Sequence, residues 1–245
     1  MRNHPCPLSP VPGTMTSSAN APVQRCCRLM RQKHLWIPTW RGWLLLVALC
    51  VLGGYGGLRR IHPFLAPDRP VASDILVVEG WVPDYALKRG LDLSATWKSR
   101  YLLLTGGTVK GAVNPELGDT YARLAMLRLQ RLGGDLRHVQ SVPSPELTPE
   151  PVRDRTYAEA LAVKKWLKDQ RVSVRSINVL TVGPHARRSR LLFQKAFGPH
   201  VQIGVISIQN LEYDPRVWWR FSEGVKEVLS EGAAYFYSRF LFHPG

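Results

Sequence analysis

Five short apolar runs alternate with helix-type segments between residues 74 and 208. The runs are DILVVEG, YLLLTGG, RHVQSV, SINVLTVG and VQIGVISI. Short runs rich in Val, Ile and Leu are typical of strands that are buried on both faces. The segments between them carry apolar residues at helical spacing and end at glycines or polar residues. This alternation predicts βαβ units, and therefore a doubly wound α/β domain with a mostly parallel sheet of about five strands.

A stretch of 17 residues without a charge, Gly42–Leu58, precedes this domain and is bracketed by Arg41 and Arg59. A membrane-spanning helix needs about 17–25 such residues. We therefore predict one N-terminal transmembrane helix within residues 35–58. A cleaved signal peptide and a buried core helix are the alternatives that the sequence leaves open.

The net charge of +15 is concentrated before the domain, because residues 1–65 hold eight of the 33 Lys and Arg residues and no acid. More of these cations precede the apolar stretch than follow it, which favours a cytoplasmic N-terminus. We therefore expect the domain on the periplasmic side of the cytoplasmic membrane. The remaining excess charge of the domain is modest and is not interleaved with aromatic residues as on a nucleic-acid surface, so no nucleic-acid partner is predicted.

The chain divides into five segments by composition. They are a disordered basic tail (1–34, with Met30 as an alternative translation start), the anchor (35–58), a linker (59–73), the α/β domain (74–210) and an aromatic C-terminal helix (211–245). This last helix is expected to pack on the domain or on the membrane surface. All four cysteines lie in the first 50 residues and the histidines are scattered, so no metal site is predicted. The sequence does not identify a cofactor.

Ligands of parallel sheets bind outside the carboxyl ends of the strands, so the residues that follow the strands are the candidates. Glu79, Gly80 and Trp81 follow the first run, and Thr105, Gly106 and Gly107 end the second. Two adjacent glycines permit close approach of the backbone to a ligand. A buried carboxylate needs a partner, so Glu79 is expected either to pair with Arg155 or Arg188 or to act as a general base.

Two helix starts carry cations, although the N–H groups of a first turn disfavour positive charge. His185 and Arg188 lie three residues apart after the fourth run, and Arg155 precedes another helix. Cations at such positions become favourable when an anion binds there. Arg187 and Arg190 cannot share that face and are expected to point away. Thr156 and Glu159 have the spacing of a capping box.

The motifs LLLTGG, DRTYAEAL and VLTVGPHARRSRLLFQKAFG follow one another behind a single anchor over residues 72–208. This order resembles the YdcF/SanA/ElyC family of bacterial envelope proteins. The best matches are T-x-x-x-H-x-x-R at Thr181, His185 and Arg188, and R-T-x-x-x-A at Arg155, Thr156 and Ala160. The resemblance implies a Rossmann-like domain, a pocket lined by those residues and a role in envelope or peptidoglycan homeostasis. Some family members are associated with S-adenosylmethionine.

The leading hypothesis is that the domain binds an anionic envelope metabolite or a lipid-linked cell-wall precursor. Glu79 and His185 are the candidates for proton transfer in an enzymatic version. The candidate ligand-binding residues are Gly80, Trp81, Thr105, Gly106, Gly107, Arg155, Thr156, Thr181 and Arg188. A non-catalytic sensor or scaffold and a nucleotide- or S-adenosylmethionine-binding enzyme are the alternatives. No protein partner is indicated.

Overall fold

The computed structural model describes residues 39–109, 119–145 and 154–244. The expected disordered tail and the alternative start at Met30 lie outside the described residues. The chain forms two compact units, Met1–Leu46 and Val47–Gly245. The described part of the first unit is the beginning of helix α1, and the second unit contains the sheet and the helices around it.

Helix α1 runs from Trp40 to Leu65. Among the described residues it is the one helix long and apolar enough to cross a membrane, and none of its most apolar window is buried within the protein. The helix includes Pro63 and ends seven residues inside the segment that the sequence assigns to the linker. Leu65, its last residue, is buried. The end of the candidate anchor is therefore part of the packed structure of the second unit.

The sheet has five parallel strands, as the alternation predicts, and the structure shows their order to be β3-β2-β1-β4-β5. The strands are β1 (Ile75–Glu79), β2 (Tyr101–Gly106), β3 (Val139–Pro143), β4 (Ser176–Val182) and β5 (Gln202–Ile208). The chain builds outward from β1 in one direction and from β4 in the other. The loops that leave β1 and β4 therefore diverge, and a crevice opens at the carboxyl ends of these two strands.

Helices cover both faces of the sheet because successive strand residues point to opposite sides. Side chains such as Leu76 and Leu102 pack with helices α2 (Asp84–Thr96) and α3 (Tyr121–Arg131). Neighbours such as Val77 pack with α4 (Arg155–Asp169) and α5 (Ala186–Phe197) on the other face. A single 3-10 turn, Gly183–His185, joins β4 to α5.

The C-terminal helix α6 (Ser222–Phe236) packs on the end of α1. Leu65 belongs to the same buried cluster as Val228, and the rings of Phe64 and Tyr235 meet edge to face with centroids 5.8 Å apart. The indole N–H of Trp218 also donates to the carbonyl of Leu58 over 3.0 Å. These contacts fix the last two turns of α1 against the domain.

Replacing Trp218 by Phe tests this attachment. The variant keeps an aromatic ring but removes the N–H donor, so we expect the free energy of unfolding to fall by about 1 kcal/mol. Thermal unfolding of the full chain in detergent micelles measures the change. Trp97→Phe is the matched control, since the Trp97 side chain is partly exposed at the end of α2. Equal stability of the two variants would show that the contact with Leu58 contributes nothing.

Candidate functional site

A cavity of about 520 Å³ opens at the carboxyl edge of the sheet, where the crevice between β1 and β4 is expected. This volume is typical of small-molecule sites, which measure about 300–1,000 Å³. Its walls come from the loops after β1, β2 and β4 and from helices α3, α4, α5 and α6. The lining residues are Trp81, Gly107, Thr108, Tyr121, Asp154, Arg155, Thr156, Glu159, His185, Arg188 and Glu231.

His185 lies in this wall between two carboxylates. Its Nε2 is 3.3 Å from Oε2 of Glu79, and its Nδ1 is 3.0 Å from Oε1 of Glu231. The Trp81 ring meets the imidazole edge to face at 5.1 Å. Burial lowers the pKa of His185, but the two carboxylates outweigh it and raise this pKa to about 10. The two carboxylates therefore favour the imidazolium form of His185, which disfavours a role as a general base at neutral pH.

Glu79 is fully buried at the end of β1 and does not line the cavity. Thr181 donates to its Oε2 over 2.5 Å, and Ser189 donates to its Oε1 over 2.7 Å. Burial favours the neutral acid, but His185 and the two hydroxyls outweigh it and hold the pKa of Glu79 below its usual value. The prediction that Glu79 pairs directly with Arg155 or Arg188 was wrong, because its partners are Thr181, Ser189 and His185. Because Glu79 lies behind His185, its role is to position and charge that imidazole.

Arg188 is also held by carboxylates. It binds Glu231 with two nitrogens, over 2.8 Å from Nε and 3.2 Å from Nη2, and its Nη1 lies 3.4 Å from both Asp154 and Thr156. The cations at the start of α5 are thus compensated by acids from α4 and α6. Arg188 therefore shapes the wall, and its donors are already engaged by protein groups.

Arg187 and Arg190 point away from the cavity, as helical spacing predicts. Arg187 donates to the carbonyl of Phe64 and stacks over the Phe64 ring. Arg190 donates to the carbonyl of Ile203 over 2.9 Å. Both cations therefore hold the surrounding structure together.

Arg155 differs from the other cations of the wall. It is the first residue of α4, its side chain is exposed, and it lines the cavity. Within the described part of the chain it makes no hydrogen bond or ion pair. Its guanidinium therefore presents open donors beside the N–H groups of a helix start, which also favour negative charge.

Glu159 lies one turn further along α4, also in the wall and buried. Its Oε2 has no hydrogen-bond partner among the described residues. Burial, together with the nearby charge of Glu79, raises the pKa of Glu159 to about 8. The capping-box prediction for Thr156 and Glu159 was wrong, because Asp154 is the N-cap and accepts from the Tyr157 N–H over 3.2 Å. Glu159 is therefore a neutral acid in the cavity and caps nothing.

The glycines after β1 and β2 serve mainly the packing of α3. A Cβ at Gly80 would lie 2.4 Å from the carbonyl oxygen of Tyr121, and one at Gly106 would lie 2.5 Å from the Tyr121 Cβ. Of the adjacent glycines Gly106 and Gly107, only Gly107 lines the cavity. The close approach that these residues permit is therefore that of a helix start rather than of a ligand.

The structure brings six of the candidate site residues to the cavity wall. They are Trp81, Gly107, Arg155, Thr156, His185 and Arg188. The remaining five lie beneath or beside the wall: Glu79, Gly80, Thr105, Gly106 and Thr181. Thr181 contributes through Glu79, whereas Thr105 is buried in the sheet with no hydrogen-bond partner for its hydroxyl among the described residues.

The acids of the wall are what the sequence interpretation missed. Asp154, Glu159 and Glu231 all line the cavity, and Tyr121 adds an aromatic side chain. One signal was available for Glu231, because Glu223, Glu227 and Glu231 recur every four residues along α6 and so share a face. The dense aromatic content of that helix obscured this stripe.

No protein-family model matches this chain, and neither a curated protein nor a solved structure is detectably similar to it. Within the described ranges, no group of three or more His, Cys, Asp or Glu side chains is arranged to hold a metal ion. The cavity is lined by three cations, by the carboxylates of Asp154 and Glu231 and by the neutral acid Glu159. Of the cations, Arg155 is the one without a partner among the described residues.

Proposed function

We propose that this protein is a membrane-anchored, Rossmann-like α/β protein whose cavity binds the anionic group of an envelope metabolite or of a lipid-linked cell-wall precursor. The observation that carries the proposal is Arg155, a cation without a partner among the described residues, at a helix start inside a 520 Å³ cavity. A phosphate group would accept hydrogen bonds from its guanidinium in the fork geometry that Arg favours. The Lys and Arg bias before the anchor supports a periplasmic position for the domain.

The packing of α6 on α1 supports a ligand that is attached to lipid. Glu231 of the cavity wall belongs to the helix that buries Leu65, and Arg187 joins α5 to Phe64. The last residue of α1 lies only seven positions beyond the charge-free stretch, or about 10 Å along a helix. A head group at a membrane surface would therefore be within reach of the cavity if α1 spans that membrane.

A nucleotide or S-adenosylmethionine is the second candidate ligand, and the strand order favours it. The order β3-β2-β1-β4-β5 agrees with the first five strands of the dinucleotide-binding arrangement, in which ligands bind at the β1/β4 crevice. Gly80 and Gly106 are occupied by the start of α3, however, which leaves less backbone free to cradle a pyrophosphate.

Replacing Arg155 by Ala tests the proposed function. A hydrogen bond to a charged group contributes about 1.5–3 kcal/mol, so the dissociation constant for inorganic phosphate should rise about tenfold to a hundredfold. Calorimetric titration of the full chain in detergent micelles measures it. Arg131→Ala, which removes an exposed cation at the end of α3, is the matched control and should leave the affinity unchanged.

The ligands of the titration distinguish the sources of the anion. Inorganic phosphate, a nanodisc that carries a polyprenyl phosphate, and S-adenosylmethionine are compared with the wild type and the two variants. Preference for the nanodisc, lost in Arg155→Ala, supports a lipid-linked ligand. Binding of S-adenosylmethionine alone, with no dependence on Arg155, would overturn the proposal in favour of the second candidate.

A further inference from the structure

Glu159 and Arg155 lie four residues apart on α4, so their side chains emerge on the same face of the helix and into the same cavity. Arg155 has open donors there. Glu159 has a carboxyl oxygen, Oε2, with no hydrogen-bond partner in the described structure. A buried polar atom without a partner is unfavourable and rare in folded proteins, so this one requires an explanation.

The surroundings of Glu159 keep its proton in place. Charged groups face it from every packed element: Glu79 from β1, His185 from the turn after β4, Arg188 from α5, Asp154 and Arg155 from α4, and Glu231 across the cavity from α6. The cations among them are largely occupied, because His185 and Arg188 are bound to carboxylates. Burial and the negative charge of Glu79 therefore dominate and disfavour a second unpaired carboxylate.

We propose that Glu159 is a proton-bearing acid that donates a hydrogen bond to the oxyanion held by Arg155. This inference rests on the proposed function and adds a specificity determinant to it. The ligand must be an oxyanion with one oxygen for the guanidinium and another that accepts from the carboxylic acid, as the tetrahedral phosphate group does. Loss of the proton leaves a carboxylate that repels the ligand, so the cavity binds anions only while Glu159 is neutral.

Sulfate is the sharpest probe of this proposal, since it is tetrahedral and its own charge does not change between pH 6 and 9. Burial raises the pKa of Glu159 to about 8. We therefore expect the dissociation constant of the full chain in detergent micelles to be constant up to about pH 7.5. Above that it should rise by up to tenfold per pH unit, as the binding of one proton requires.

Glu159→Gln removes this dependence in a defined way. Glutamine is neutral at every pH and keeps an N–H donor, so the variant should bind sulfate with an affinity that is flat from pH 6 to 9. Glu223→Gln, at an exposed position in the first turn of α6 that does not line the cavity, is the matched control and should keep the slope of the wild type. The pKa of His185 is raised to about 10, so His185 adds little slope between pH 6 and 9.

The outcomes separate this inference from the proposed function. Sulfate binding that is lost in Arg155→Ala but has the same pH slope in Glu159→Gln and the wild type would overturn the role of Glu159 alone. Absence of sulfate binding at every pH would overturn both proposals. Infrared spectra provide a second readout without ligand: a carboxylic C=O band at pH 7 that disappears in Glu159→Gln is expected, and its absence would contradict the bound proton.

Discussion

Replacing Glu79 by Ala is expected to lower the free energy of unfolding by about 3–5 kcal/mol, as when one member of a buried ion pair is removed. The carboxylate is fully buried and receives hydrogen bonds from Thr181 and Ser189 and the charge of His185. Its loss leaves both hydroxyls without an acceptor and removes one of the two anions that stabilise the imidazolium. Chemical denaturation of the full chain in detergent micelles measures the effect.

Glu79→Gln provides a graded version of this experiment. The amide keeps an acceptor oxygen but no charge, so we expect a smaller loss of stability and a lower pKa for His185, measured by NMR of its ring protons. Glu223→Ala is the matched surface control, because Glu223 is exposed and its ion pair with Lys226 is long, at 3.9 Å. A loss from Glu79→Ala no greater than that from Glu223→Ala would contradict the proposed positioning role.

The stability of the protein should decrease as pH rises from about 5 to 10. Two groups cause this, because each keeps its proton in the folded state after the unfolded chain has lost it. The pKa of His185 is raised from 6.5 to about 10, and that of Glu159 from 4.5 to about 8. The stabilisation by His185 is complete below pH 6.5 and is lost as pH rises through 10. The cost of Glu159 grows from pH 4.5 and is complete near pH 8.

Each proton contributes a slope of up to about 1.4 kcal/mol per pH unit, so the steepest loss is expected between pH 6.5 and 8, where both groups act. On the acid side the sign reverses, since the lowered pKa values of Glu79 and Glu231 make stability fall below about pH 4.5. The maximum should therefore lie near pH 5. Unfolding temperatures from pH 4 to 10 test this.

Two variants assign the slope to its groups. Glu159→Gln should remove the part between pH 4.5 and 8, and His185→Gln the part between pH 6.5 and 10. Glu223→Gln should leave the profile unchanged. A flat profile of the wild type between pH 6 and 10 would show that neither group is perturbed as its surroundings require.

Local sequence patterns determined much of the fold. The five apolar runs became five parallel strands because chain segments buried on both faces admit little else. The 3.6-residue period correctly separated Arg188, which faces the cavity, from Arg187 and Arg190. The rule that ligands bind at the carboxyl ends of the strands also identified Trp81 and His185, and the cation at a helix start identified Arg155; all three line one cavity. Each of these inferences needed only the geometry of a single element or of a parallel sheet.

The pairing of charges was decided by tertiary structure. Glu79 meets Ser189 across 110 positions of sequence, and Arg188 meets Glu231 across 43, so no local pattern could identify these partners. The same holds for Glu159. Its spacing from Thr156 predicted a capping box, but the structure has Asp154 as the N-cap of α4. Protonation depends on burial and on neighbours from several elements. The sequence by itself thus determined the sheet and the edge that carries the site. Only the packing of α4, α5 and α6 decided which charges of the cavity wall are neutralised, because electrostatic partners are set by proximity in space.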